Sequence, residues 1–90
     1  MRFWSRQIQT GVQFTGTLQP NQTNNWFTWG WNPALHVVWY VMPTTPKPGA
    51  AELEWTVRVE RGNATQTTHW IQVHNLTNVP VTFEGRYAIL

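Results

Sequence analysis

Between Glu52 and Glu60 the side chains alternate without a break. Leu53, Trp55, Val57 and Val59 take the odd positions, and Glu52, Glu54, Thr56, Arg58 and Glu60 the even ones. A period of two sorts these into one dry and one wet face of an extended strand, whereas a helical period of 3.6 would scatter both sets around the axis. The pattern recurs. From Val79 to Leu90 the odd positions carry Val79, Val81, Phe83, Gly85, Tyr87 and Ile89, with polar residues at the even positions from Thr82 to Arg86. Between Thr67 and Leu76, Ile71 and Val73 oppose Trp70, Gln72 and His74. From Ile8 to Leu18, Val12, Phe14, Gly16 and Leu18 oppose Gln13, Thr15 and Thr17. Asn25 to Trp31 places Phe27, Trp29 and Trp31 opposite Trp26 and Thr28, and Phe27 is expected to face the core. Leu35 to Met42 is apolar on both faces apart from His36, which predicts a central strand covered on both sides.

Between these segments lie short stretches rich in Pro, Asn, Gly and Thr, of which Pro43 to Gly49 is the stiffest. Turn signals spaced this closely, with no helical stripe of useful length, predict an all-β fold. The expected architecture is an antiparallel β-sandwich, or a small barrel, of about six strands, with residues 1–90 as a single domain. A chain of 90 residues has room for one thin core. Phe14, Leu18, Phe27, Leu35, Trp39 and Val57 are among those expected to fill it.

Composition removes several classes of chemistry. Cysteine and aspartate are absent, so thiolate metal sites, disulfides, Ser-His-Asp triads and EF-hand loops are excluded. Nothing approaches an apolar run of 18 residues, so no membrane-spanning helix is expected. Met1 to Gln7 lacks the apolar core of a signal peptide, and the chain is expected to be cytosolic, a processed form, or exported by another route. The isoelectric point near 9.7 reflects four acids more than six bases, and the bases are scattered along the sequence without a nucleic-acid signature. No nucleic-acid partner is expected.

The seven tryptophans set the functional expectation. More large rings are present than one small core can hold, so some should meet something outside the protomer. Trp4, Trp26, Trp31, Tyr40 and Trp70 fall on second faces or beside turns. Sugar binding is one use: a flat indole packs on the C–H face of a pyranose while nearby amides and guanidinium groups bond its hydroxyl rim. The candidate glycan-binding residues are Trp26, Trp31 and Trp70 as stacking platforms, with Asn24, Asn32, Asn75 and Arg61 as polar neighbours. Self-association is a second use, with Val38, Tyr40 and Met42 as the interface of a homo-oligomer. A membrane interface touched by the Trp26–Trp31 segment is a third. In size and composition the chain is similar to small bacterial or invertebrate β-sandwich lectins, though no stretch carries a family motif.

Catalysis is not expected, nor is a cofactor or metal. His69 and His74, five apart, point to opposite faces of one strand and cannot form a local ligand pair. Glu52 and Glu54 are about 6.5–7 Å apart by strand rise, at the lower edge of the range used by inverting glycosidases. Ion pairs of Arg58 with Glu84, or Glu54 with Arg86, account for them more simply. Three Asn-X-Thr triplets, at Asn21, Asn63 and Asn75, fall in expected loops.

Overall fold

The computed structural model describes residues 8–90. Trp4, one of the surplus rings, lies outside the described residues. Six antiparallel strands form two three-stranded sheets: β1 (Gln9–Leu18), β2 (Thr23–Trp31), β3 (Val37–Pro43), β4 (Leu53–Arg61), β5 (Thr67–Asn75) and β6 (Val81–Ile89). One sheet has the order β1-β6-β3 and the other β2-β5-β4. The described residues contain no helix. Both sheets are open, so the fold is a small sandwich and not a closed barrel. Consecutive strands change sheet at every connection except β4 to β5, which is the one hairpin within a sheet.

The core is the layer between β6 and β5. Leu18, Trp39, Val41, Ile71, Val73 and Phe83 form its buried cluster. Fully burying an aliphatic or phenyl side chain stabilises by about 1.5–3 kcal/mol, so this short row holds the sheets together. Phe14 lies over Gly85, where a Cβ would collide with its ring. Gly85 is thus required for close approach, since Phe14 stacks on Trp26 with centroids 5.6 Å apart and meets Phe83 edge-on at 6.3 Å.

Three sequence expectations are corrected by the pairing. First, Val37–Pro43 is not a central strand: β3 is an edge, and its outward residues Val38 and Tyr40 are exposed. Second, the faces of β2 are the reverse of those expected. Trp26 pairs with Ile71 and Thr28 with His69, so both point inward with the dry row of β5, and Phe27 and Trp29 point out. Aromatic residues occupy both parities of this segment, and only the partner strand breaks the tie. An irregularity between Thr28 and Trp31, containing Gly30 at φ 82°, then turns Trp31 back inward opposite Thr67. A matching irregularity between Val12 and Phe14 in β1 leaves Val12 exposed. Third, the expected ion pairs cannot form, because Glu54 and Arg58 lie on the β5 sheet while Glu84 and Arg86 lie on the β6 sheet. Arg86 instead pairs with Glu84 of its own strand at 2.7 Å. Leu35, Phe27 and Val57, expected in the core, are all exposed.

Candidate functional site

The outer face of the β5 sheet carries the largest exposed rings. Trp70 stands at the middle of the sheet, with Phe27 directly across on β2 and Arg58 across on β4. Phe27 and Trp70 are stacked, with centroids 5.0 Å apart and an interplanar angle of 30°. Trp29 extends the group, tilted against Phe27 at 5.9 Å. Exposure rises from 42% at Trp70 to 53% at Phe27 and 71% at Trp29. The Trp70 indole is held in place, because its Nε1 donates to Glu60 Oε1 at 3.0 Å.

A polar row runs from this platform along the same face. Gln72 is flanked by Asn25 and Thr56, and His74 by Thr23 and Glu54. Trp70, Asn25, Gln72, Thr56 and Arg58 line a shallow cavity of about 170 Å³. That is smaller than the roughly 300–1,000 Å³ of a drug-sized ligand pocket, and fits a surface that cradles part of a ligand without enclosing it. The row is mostly neutral. Thr23 Oγ1 and His74 Nδ1 bond each other at 2.6 Å, so the far end is internally satisfied. Asn25, Thr56 and Gln72 offer amide and hydroxyl groups that both donate and accept.

The residues singled out from the sequence are dispersed. Only Trp70 lies on this face. Trp26 is half-buried between Phe14 and the edge of Phe83, whose centroid is 5.1 Å away. Trp31 stacks on His69 at 5.6 Å and 8°, meets Trp39 and Tyr87 edge-on, and donates from Nε1 to Thr28 Oγ1 at 2.9 Å. Both rings are half-buried and pack against the core cluster, away from the Trp70 face. Asn75 is completely buried. Its Nδ2 donates to the carbonyls of Leu18, Gln19 and Val79, and its Oδ1 accepts from Thr77 N and Oγ1. It is a clamp on the chain, with no bonding capacity left for a sugar, and its burial also shields the triplet it begins. Asn24 is exposed but has the opposite parity to Asn25, to whose N–H its Oδ1 bonds at 2.8 Å.

Asn32 and Arg61 do come together, lining a cleft at one end of the sandwich with the β2–β3 and β4–β5 turns. Each is engaged there. Asn32 Oδ1 accepts from Ala34 N, and the Arg61 guanidinium donates to the carbonyls of Asn63 and Ala64. They brace turns about the ends of the strands and do not adjoin Trp70. Val38, Tyr40 and Met42 share the outer face of β3, beside Ala88, Arg86 and Glu84 of β6. Phe27 and Trp29 were missed because their parity was read from their own segment. The signal that would have found them is the unambiguous dry row Ile71 and Val73 of the neighbouring strand.

His69 faces inward and His74 outward. Trp39 Nε1 donates to His69 Nδ1 at 2.7 Å, and burial holds this imidazole below the ordinary histidine range. Among the described residues no group of three or more His and Glu side chains converges, and no helix is long and apolar enough to cross a membrane. No protein-family model, curated protein or solved structure matches the chain.

Proposed function

We propose that this protein is a non-catalytic carbohydrate-binding module whose site is the outer face of the β5 sheet. The observation that carries this reading is the exposed Phe27–Trp29–Trp70 platform beside a neutral polar row. The rings supply an apolar surface for the C–H face of a sugar. Asn25, Thr56 and Gln72, with Arg58 and Glu60 at the margin, supply donors and acceptors for its hydroxyl rim. A charged ligand would call for a denser set of bases than the single Arg58. The test is a glycan array followed by titration of the hit against intrinsic fluorescence. Trp70 emission should shift on binding, and Trp70→Ala should abolish the response while far-UV circular dichroism is unchanged. A response that survives in Trp70→Ala, or no hit across a broad array, refutes the reading.

A second reading is an assembly subunit. Val38 and Tyr40 are half-exposed and, with Val12 and Ala88, line an apolar depression on the outer face of the β6 sheet. Under this reading a charge at Tyr40 dissolves the oligomer.

A further inference from the structure

Each sheet of the sandwich ends in two strands with unpaired backbone groups, and natural proteins blunt such edges. Three of the four are blunted here. β1 is kinked between Val12 and Phe14, β2 is kinked between Thr28 and Trp31, and β3 is the shortest strand and ends on Pro43. β4 has neither kink nor proline and is full length, so the one device it carries is charge, at Glu54, Arg58, Glu60 and Arg61. Its ladder with β5 runs unbroken from Leu53 opposite Asn75 to Arg61 opposite Thr67, and it contains neither Pro nor Gly. Its inward row is incompletely covered, with Val57 39% and Val59 66% exposed. On its outward row, neither Glu54 nor Arg58 has an ion-pair partner among the described residues.

We infer that β4 pairs antiparallel with β4 of a second copy, about a two-fold axis at Thr56. A two-fold perpendicular to the sheet keeps each face continuous, and the register then decides which side chains meet. Centring on Thr56 sets Glu54 opposite Arg58 of the second copy, twice by symmetry, and sets Leu53 opposite Val59 and Trp55 opposite Val57. The two exposed valines are thereby covered, and the ladder stops at Leu53 and Val59, before Glu52 and Glu60 would face each other. The neighbouring registers fare worse. Centring on Val57 opposes Glu54 to Glu60, and centring on Arg58 opposes that residue to itself. Centring on Trp55 or Val59 leaves only Leu53 to Val57, or Val57 to Arg61, within the ladder. Opposite charges directly across an antiparallel pair stabilise it, and like charges destabilise it. The edge is therefore self-complementary in one register.

The product is a continuous six-stranded sheet with both aromatic platforms on one face. Three strand spacings and four residues of register separate the two Trp70 positions, about 20 Å along the sheet. If the platform binds sugar, the dimer displays two sites to one extended or branched ligand. The dimer itself stands whatever the platform binds.

The experiment is sedimentation equilibrium of the full chain without sugar, between 1 and 200 µM, with a Thr56→Cys variant for cross-linking. Wild type should show a species of twice the 10.5 kDa chain mass. Arg58→Glu and Glu54→Arg should each weaken association about tenfold or more, and the double variant carrying both should regain it. Cα atoms of a self-opposed pair lie about 4.5–5.5 Å apart, within disulfide reach, so Thr56→Cys should oxidise to a covalent dimer and Glu60→Cys should not. Trp70→Ala should remain dimeric, which separates failure of this interface from failure of the sugar reading. A monomer at 200 µM overturns the proposal. So does a double variant that fails to recover, or a dimer indifferent to Arg58→Glu but dissolved by Tyr40→Glu. Should a charge variant fail to fold, the cysteine pair decides alone.

Discussion

Asn75 offers the sharpest test of the division between fold and site, because the same residue has the chemistry of a sugar ligand and the position of a structural clamp. Its side chain ties the end of β1 to the end of β5 and to the turn before β6. Asn75→Ala removes the donor serving the Leu18 carbonyl and the acceptor serving the Thr77 N–H, both in buried surroundings. An unsatisfied buried group costs about 1–3 kcal/mol, and the part-buried bonds to Gln19 and Val79 add about 1 kcal/mol each. Thr77 Oγ1 keeps its bond to the Val79 carbonyl and adds nothing to the loss. The expected destabilisation is about 4–8 kcal/mol, a large share of the roughly 5–13 kcal/mol for a domain of this size. With a slope of about 1–2 kcal/mol/M, the urea midpoint followed by tryptophan fluorescence should fall by at least about 2 M. Asn75→Asp sharpens the argument. Its carboxylate would confront three carbonyl oxygens, and only the protonated acid can donate to one of them. The folded-state pKa must then lie above the unfolded value of about 3.9. Stability is lost as pH rises through that window and recovers on acidification, which Asn75→Ala should not show. A midpoint for Asn75→Ala within 0.5 M of wild type, or an Asp variant with no pH dependence beyond that of wild type, would refute the clamp.

Two further outcomes follow from the core. Gly85→Ala places a methyl group inside the Phe14 ring contact, so Phe14 must leave its stack on Trp26, and overpacking of this kind costs about 1–3 kcal/mol in a thermal or urea melt; an unchanged melt would show that Phe14 is not held there. His69, with its pKa lowered by burial, contributes stability that is fully present above about pH 6.5 and is lost as pH falls toward the depressed folded value, since the unfolded chain takes up the proton first. The urea midpoint should therefore drop between pH 7.5 and 5.5, and His69→Gln should flatten that slope; equal slopes in both proteins would contradict it.

Much of the fold was legible in the sequence because strand periodicity is a local property. The alternation of Glu52 to Glu60, and the row Ile71, Val73 against Trp70, Gln72, His74, are visible without any partner, and they gave the strands, the all-β class and the outward direction of Trp70. The absence of Cys and Asp fixed with equal certainty which chemistries were closed. Neighbouring strands decided what local pattern leaves degenerate. The segment Trp26 to Trp31 is aromatic on both parities, so its dry face is set only when Trp26 docks opposite Ile71, and the kink at Gly30 then reverses the parity of Trp31 within the same strand. The breadth of Leu35 to Met42 looked like double burial, yet strand order places it at an edge. Asn75 reads as a polar loop residue until the ends of three elements close around it. In each case the deciding quantity is the free energy of a contact between residues far apart in the chain. That is why the presence of surplus rings could be read from the sequence, while the identity of those that reach solvent on the β5 sheet, Phe27 and Trp29 beside Trp70, was settled only by which strands lie side by side.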